Sequence, residues 1–508
     1  MILLLCLLLA PAWMAEEKRK LPKEVLIDKV RGGWAGQMFG VTYGAPAEFR
    51  ARGATYDEER VGTPAELKEA LDQDDLYVEM TLAEVLDLYG LDATAEQFGD
   101  ALRASKYPLW HANLAGRRNL GRGLKPPQSG DPRYNPHAND LDFQIESDFL
   151  GLMSPGLPRA VQELGWRIGH VMNYGDGVYG GVFIGAMYAA AFFEDEPRRV
   201  VEAGLEAIPG GSRYAAVLRD LLAAHRDHPQ DWRAAWKRIV EKWDRDDVCP
   251  AGALGPYNID AALNGAFVAL ALLYGGRDFE RTLELAVRAG QDSDGNASSA
   301  GGILGVMLGY QKLPERWTEA LQPLADQKFS STTFSFTGIV ASTVSRAAVN
   351  VNHYGGKVTE EGLEIPAQKP GSLKLEQWSP GRPAESVPIT DARWSWKGEW
   401  SRGEERGTPD ARSNAAGSEA GITFDGAGAM LVGAFREDGG YAQVFLDGKL
   451  AAETDGFVAG GYRRSESLWH ADNLRPGSHT LRLVVAGRRF PRSKGAWMAL
   501  ERLVVFRR

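Results

Sequence analysis

The sequence predicts a multidomain protein of two fold classes, an all-α bundle over residues 23–355 followed by an all-β jelly-roll or β-sandwich domain over 391–508. Three observations carry that division. From Lys23 to about Tyr310 apolar residues recur with a period near 3.6 and β-branched runs are few, as packed helices require. Between 356 and 390 the chain carries Pro366, Pro370, Pro380, Pro383 and Pro388, which reads as a Pro-rich linker or an extended crossing segment. After Asp391 the period changes to two, with turn residues between the runs. A chain of 508 residues also exceeds what one ordinary core supports.

The first element is not part of either fold. Met1 to Ala12 is an apolar run ending in Ala10-Pro11-Ala12, an A-x-A-like cleavage site, so residues 1–15 read as a signal peptide and the protein as secreted or periplasmic. A lipoprotein reading through Cys6 leaves almost no hydrophobic segment ahead of the cysteine. The run is too short to span a bilayer. The apolar stretches near 181–193 and 263–274 are broken by glycine and polar residues and suit buried helices, so no membrane partner is expected. A net charge of -9 argues against a nucleic-acid partner, which calls for a basic footprint. Of the two cysteines, Cys6 and Cys249, only one survives removal of the N-terminus, which leaves no intrachain disulfide.

Within the helical part, Gly32, Gly36, Gly40 and Gly44 recur every four residues, as do Gly301, Gly305 and Gly309, and Gly181, Gly185 and Ala189. Such ridges place small residues on one helix face and let a neighbouring backbone approach closely. The helix from Asp75 to Tyr89 is apolar on two faces and should be central. In the C-terminal part, Tyr441 to Leu446 runs into Asp447-Gly448, a hairpin signal. His479 to Val485 and Leu500 to Phe506 read as further strands.

Chemistry concentrates in two acidic places. Asp292 and Asp294 stand two apart on a short turn before a helix of Gly, Ala and Ser, and Gln73-Asp74-Asp75 opens another helix far upstream. Hard cations such as Mg²⁺ need several carboxylate oxygens converging on one point, and two acidic helix starts provide them if the fold unites them.

Those motifs carry a resemblance. Asp28 to Phe49, Gln73-Asp74-Asp75 with Met80-Thr81, and residues 290–309 resemble, in order, the opening helix, the Thr-Asp-Asp motif and the closing D-x-D-[ST] motif of the ADP-ribosylglycohydrolase family. The match spans about 23–325. The resemblance implies an all-α bundle whose cleft holds two divalent metal ions, Mg²⁺ or Mn²⁺, and hydrolysis of a glycosidic bond at C1″ of ADP-ribose. By position it makes Asp74, Asp75, Asp292 and Asp294 metal ligands, with Gln73 able to add its amide oxygen, and Glu48 the family's mobile glutamate. Glu48, Asp75 and Asp294 are then the residues closest to catalysis. A dinuclear site can template ribose hydroxyls and activate a water, with carboxylates moving the proton. Two positions depart from the pattern: Gln73 and Gly295 stand where the family carries hydroxyl residues. Ser293, Asn296 or water would have to fill the place at Gly295.

The stretch Gly169 to Gly181 falls where the family lines its substrate side. His170, Asn173 and Asp176 are candidate pocket residues there, against a structural capping role, and Asn296 is a further candidate. Asp140, Asp142, Glu146 and Asp148 form either a solvated acidic face or a set pointing inward. Arg117, Arg118 and Arg122 read as a solvated loop in preference to a phosphate site, Trp232, Trp236 and Trp243 as packing, and Asn258 as a helix cap. The C-terminal domain resembles galactose-binding-like jelly rolls of secreted glycosidases. Trp394, Trp396, Trp400, Trp469 and Trp497 are mostly core there, with carbohydrate stacking open to those left exposed.

The expectation is therefore a secreted, metal-dependent glycosidase acting on a small-molecule or glycosyl substrate, ADP-ribosylated in the family's manner. Two other readings stay open: the same fold and metals acting on a glycan- or nucleoside-derived sugar, and a non-catalytic binding protein.

Overall fold

Glycine inside a helix is less favourable than alanine by about 1 kcal/mol, and the packing shows what offsets it. In the computed structural model, which describes residues 18–244 and 247–508, the helix Lys23–Gly44 lies antiparallel on the helix Ser293–Leu308. A β-carbon at Gly32 would stand 2.2 Å from the Gly305 carbonyl oxygen, at Gly36 2.1 Å from that of Gly301, and at Gly40 2.0 Å from that of Ala297. The seam places the C-terminal end of the first helix against the N-terminal end of the second: at Gly44 the added carbon would meet the Ser293 carbonyl at 2.4 Å. Residues 1–15, read as a signal peptide, lie outside the described residues.

Around this pair pack further helices, sixteen α-helices in all among the described residues. Asp176–Ala191 and Ala261–Gly275 are buried nearly all round, as their unbroken apolar faces require. Asp74–Tyr89 is central as expected, and it buries Glu79 as well as its apolar residues. Among the described residues no helix is long and apolar enough to cross a membrane.

The segment read as a linker carries regular structure at both ends. Strand Gly362–Pro366 pairs antiparallel with Lys18–Pro22, tying the start of the helical domain to its exit. Strand Arg382–Pro388 pairs with Met498–Arg507 and already belongs to the β domain. Its prolines are tolerated because this strand lies at the side of the sheet, where a missing N–H need not pair.

The β domain is two antiparallel sheets of five and six strands. Asp447 and Gly448, with φ of 51° and 78°, form the turn between strands Gly440–Leu446 and Lys449–Asp455, and glycine tolerates the second of these angles without strain. Strand Gly428–Arg436 is buried almost throughout, unlike the alternating strand Glu419–Gly426. Burial on both faces means both are covered. One faces the sandwich interior, and on the other Met430 and Val432, with Val504 and Phe506, pack against Val248 and Ala253 of the helical domain.

Candidate metal centre and active site

Three backbone features bring the acidic groups together. The glycine seam ends at Gly44, directly before the Ala45–Ala47 turn that leads to Glu48. Phe49 N–H donates to the Gln291 carbonyl and Gln291 N–H donates to the Ala51 carbonyl, each at 2.8 Å, so the Glu48 loop is paired to the residue preceding Asp292. Gln291 holds φ at 56°, a left-handed conformation that costs a non-glycine residue on the order of 1 kcal/mol. Its side chain holds it there: Oε1 accepts from Asn258 N–H at 3.1 Å and Nε2 donates to the Pro256 carbonyl at 3.0 Å. Sequence reading passed over Gln291, whose only local signal is Gly290 beside it.

Asp74 and Asp75 occupy the first turn of Asp74–Tyr89, and Asp292 stands at the N-cap position of Ser293–Leu308, its side chain making no capping hydrogen bond, with Asp294 in the first turn. Unpaired N–H groups at both helix starts favour carboxylates there. Glu48, Asp292 and Asp294 each offer an oxygen within 4.8 Å of the other two. Asp75 feels Asp74, Asp292 and Glu48 directly. Gln73 precedes the pair as the half-buried cap residue, and its carbonyl accepts from Leu76 and Tyr77 N–H.

The electrostatics are those of anions gathered without a counter-ion. Asp75, Asp292 and Asp294 are 2%, 6% and 5% exposed. Burial, then the neighbouring carboxylates, drive all three far above the usual carboxylate range, and burial raises Asp74. Glu48 is open to solvent on one edge yet crowded elsewhere, and lost solvation followed by the Asp74 charge pushes it up to about 7. Two full charges at such spacing repel by roughly 3 kcal/mol at an effective dielectric near 20. Asp75 Oδ1, Asp292 Oδ2 and Asp294 Oδ1 are buried without any hydrogen-bond partner, where burying even a neutral polar group unpaired costs about 1–3 kcal/mol. An all-oxygen donor set with orphaned, converging oxygens fits hard divalent cations.

Gly295 shows how the missing hydroxyl is accommodated. A β-carbon there would stand 2.3 Å from Asp292 Oδ2 and 3.0 Å from Asp75 Oδ1, so the two carboxylates occupy the space of a side chain. Ser293 Oγ is turned away and donates to the Gly44 carbonyl. Asn296 donates to Asn264 Oδ1 through its Nδ2, and its Oδ1 is left without a partner.

The other candidates are held by protein partners. His170 engages the Trp166 carbonyl through Nδ1 and Glu376 through Nε2. Asn173 donates to the Ala138 and Asp140 carbonyls and accepts from Phe143 N–H, and so shapes the 138–143 segment. Asp176 accepts from Tyr214 N–H and lies 3.8 Å from Arg213. The polar partners of these three are the 138–143 segment, Glu376, Trp166, Arg213 and Tyr214, not the four aspartates.

Asp140, Asp142, Glu146 and Asp148 are buried, so of the two readings open for them the inward-pointing set holds. Asp142 accepts Ala112 and Asn113 N–H, Glu146 accepts Asn113 Nδ2, and Asp148 accepts Tyr188 and Ser299 hydroxyls. Arg118, on the helix His111–Gly121, and Arg122, the C-cap residue just after it, pair with Asp455 of the β domain, Arg122 Nε at 2.9 Å, in place of the solvated loop expected. Asp260, not Asn258, caps Ala261–Gly275, accepting Ala262 and Leu263 N–H. Trp236 packs half-buried and donates to the Ala289 carbonyl.

Residues 22–345 match the model of the ADP-ribosylglycohydrolase family. Comparison with curated proteins gives no match. Among solved structures the chain is similar to an ADP-ribosylglycohydrolase-related protein complex, at 19% identity over 64% of this chain and 99% of that one, with a TM-score of 0.42. Smaller shares are similar to a carbohydrate-binding module, CBM36, in complex with calcium and xylotriose (11% identity, 24% of this chain, 98% of that chain, TM-score 0.18). A further likeness is to Paenibacillus xanthan lyase (14% identity, 28% of this chain, 15% of that chain, TM-score 0.21). The family model covers well over half of the chain, and the chain belongs to the ADP-ribosylglycohydrolase family, a family of hydrolases acting on glycosyl bonds.

Proposed function

We propose that the protein is a secreted, metal-dependent glycohydrolase that cleaves an N- or O-glycosidic bond to ADP-ribose, with water as the acceptor. The supporting observation is the convergence of Glu48, Asp292 and Asp294 on one point beside Asp74 and Asp75, with three buried carboxylate oxygens lacking any partner. Asp74, Asp75, Asp292 and Asp294 would hold two divalent cations of the Mg²⁺ or Mn²⁺ type. Such ions, when bound, supply Lewis acidity and a template for adjacent sugar hydroxyls.

The chain's own groups do the rest. Glu48 is the exposed member of the cluster, the one that water from solvent reaches first. Its carboxylate oxygen accepts the proton as the water oxygen bonds to C1″ and the bond to the leaving group breaks, the electron pair going with the departing oxygen or nitrogen, which then takes up that proton. Asp75 and Asp294 place negative charge beside a carbon that becomes oxocarbenium-like. His170, Asn173 and Asp176 act in this reading through the backbone they fix.

Gly295 favours a second reading of the substrate. With its hydroxyl absent and two carboxylates in that space, the same chemistry serves a glycan- or nucleoside-derived sugar. Trp396 and Trp400, half-buried with ring centroids 5.0 Å apart, and the half-buried Trp497 are the aromatic faces proposed for carbohydrate on the β domain, since Trp394 and Trp469 are buried. Export rests on the apolar run ending at Ala12.

Calorimetry with Mg²⁺ and Mn²⁺, followed by a panel of ADP-ribosyl peptides, ADP-ribose esters and nitrophenyl glycosides, tests both readings. Turnover of the ADP-ribosyl compounds is expected. Turnover of the glycosides alone removes ADP-ribose as substrate, and absence of divalent binding removes the enzyme reading altogether.

A further inference from the structure

Four side chains that take no part in the carboxylate site converge elsewhere in the helical domain. His111 opens the helix His111–Gly121, His137 and Asp140 lie on the connection that follows it, and Cys249 lies beyond the helix Trp232–Trp243. Each presents one ligand atom within 4.8 Å of the other three. Cys249 Sγ is 3.7 Å from His111 Nδ1 and 3.6 Å from His137 Nδ1. Asp140 Oδ2 is 2.7 Å from His137 Nδ1 and 3.7 Å from His111 Nδ1. We infer that His111, His137, Asp140 and Cys249 form a second metal site, mononuclear and of the Zn²⁺ class, separate from the carboxylate centre.

The distances support coordination. Tetrahedral Zn²⁺ at about 2.3 Å from sulfur and 2.05 Å from nitrogen sets those two atoms about 3.6 Å apart, and both sulfur–nitrogen separations match it. The closer His137–Asp140 contact, 2.7 Å, is a hydrogen bond that would open by about 0.6 Å to reach the nitrogen–oxygen separation of a tetrahedral site. A Cys–His–Asp relay does not account for the arrangement. In such a relay the thiol and the carboxylate use opposite nitrogens of one imidazole, whereas here both face Nδ1 of His137.

The outward nitrogen of His111 is arranged as a metal-bound histidine requires, with Nε2 2.7 Å from the Tyr257 hydroxyl. His137 Nε2 is buried without a hydrogen-bond partner, and the nearest carboxylate, Glu466, stands 3.6 Å away. The donor chemistry separates the two sites: one thiolate, two imidazoles and a carboxylate select a borderline-soft ion, while the aspartate cluster selects a hard one. Three of the four ligands are buried, Cys249 with no exposed surface, and four protein ligands make a closed, structural site.

Its position gives that role content. Glu466 belongs to the β-domain strand Tyr462–Ala471. Val248 and Ala253, on either side of Cys249, pack on the sandwich, and the Pro250 carbonyl accepts from Arg502. Tyr257 in turn packs on Phe49 with ring centroids 4.7 Å apart and planes tilted by 39°, next to Glu48. The ion would pin the Cys249 loop to the β domain on one side and the Glu48 loop on the other.

The test is metal analysis of the full chain. After dialysis against Mg²⁺, about one zinc per chain should remain, and Co²⁺ exchanged into the wild type should give a thiolate-to-cobalt absorption band in the near ultraviolet. Cys249→Ser and His111→Ala should each lose the zinc while still binding Mg²⁺ or Mn²⁺ by calorimetry. Asp294→Asn should keep it, which separates this site from the proposed active centre. Zinc absent from the wild type together with no cobalt–thiolate band overturns the assignment, as does zinc that stays in both ligand variants or leaves with Asp294→Asn. The cobalt band needs no variant, so misfolding of Cys249→Ser leaves the question decided.

Discussion

Gly295 and Asp292 share one space: a β-carbon on the glycine would stand 2.3 Å from the aspartate's Oδ2. Supplying the hydroxyl of the family pattern therefore does not recover a ligand here but displaces two. Gly295→Ser is expected to weaken divalent-cation binding by about 5- to 150-fold, since overpacking of this kind costs roughly 1–3 kcal/mol. Calorimetric titration with Mg²⁺ and Mn²⁺ checks it, and unchanged or tighter binding means that the carboxylates can move aside.

Asp294→Asn should have opposite effects with and without metal. It removes one of several crowded, partnerless anions, so the metal-free variant should melt no lower than the metal-free wild type. Saturating divalent cation at about 100 Kd stabilises a single-site protein by about 2.7 kcal/mol, and the variant should lose most of that gain. Turnover should fall by more than about 100-fold, beyond what altering an outer-shell partner of a metal ligand brings. Melting curves with and without chelator, and rates on whichever substrate is turned over, give both readings.

The glycine seam makes a signed prediction about two alanine substitutions. Gly40→Ala gains about 1 kcal/mol of helix propensity, but its methyl would stand 2.0 Å from the Ala297 carbonyl oxygen, a backbone atom that cannot rotate away. The net effect should be a loss of about 2 kcal/mol or more. Gly121, at the end of its helix, has nothing within 4 Å of an added β-carbon. Gly121→Ala should be neutral or stabilising by about 0.5 kcal/mol. Denaturant titrations of the two variants check the contrast.

Asp455 links the domains, and its titration sets a pH limit on that link. Burial opposes its ionisation, but Arg118 and Arg122 outweigh burial and hold the carboxyl below the usual range. A depressed carboxylate contributes stability that is fully present above its unfolded pKa, near 3.9, and is lost as pH falls through the folded value. Asp455→Asn should remove this pH dependence below about pH 4. Asp455→Ala, which strands two partly or fully buried guanidinium groups, should cost about 3–5 kcal/mol. Thermal melts from pH 3 to 7 compare the two variants with the wild type.

Local pattern made the two domains and the aspartate pairs legible, because helical period, strand alternation and D-x-D spacing are properties of neighbouring residues. What depended on distant partners was not legible. Asp140, Asp142, Glu146 and Asp148 read equally as a wet surface, because the Asn113, Tyr188 and Ser299 groups that satisfy them lie on other elements. Arg122 looked unpaired because Asp455 lies 333 positions away. His111, His137, Asp140 and Cys249 have no metal-ligand spacing in the chain, and only the fold shows them as a group.

The antiparallel glycine seam also dictates when this protein can become itself. Ser293 Oγ bonds to the Gly44 carbonyl across 249 positions, so the first helix waits for its partner until most of the helical domain exists. Before then it is a glycine-rich segment with an unfilled groove, and Asp74 and Asp75 have no opposing aspartates. Contacts of such separation are the slow ones to form. Acquisition of divalent cation by the aspartates should therefore be a late event in the life of the chain, after folding of the whole domain and not a nucleus for it.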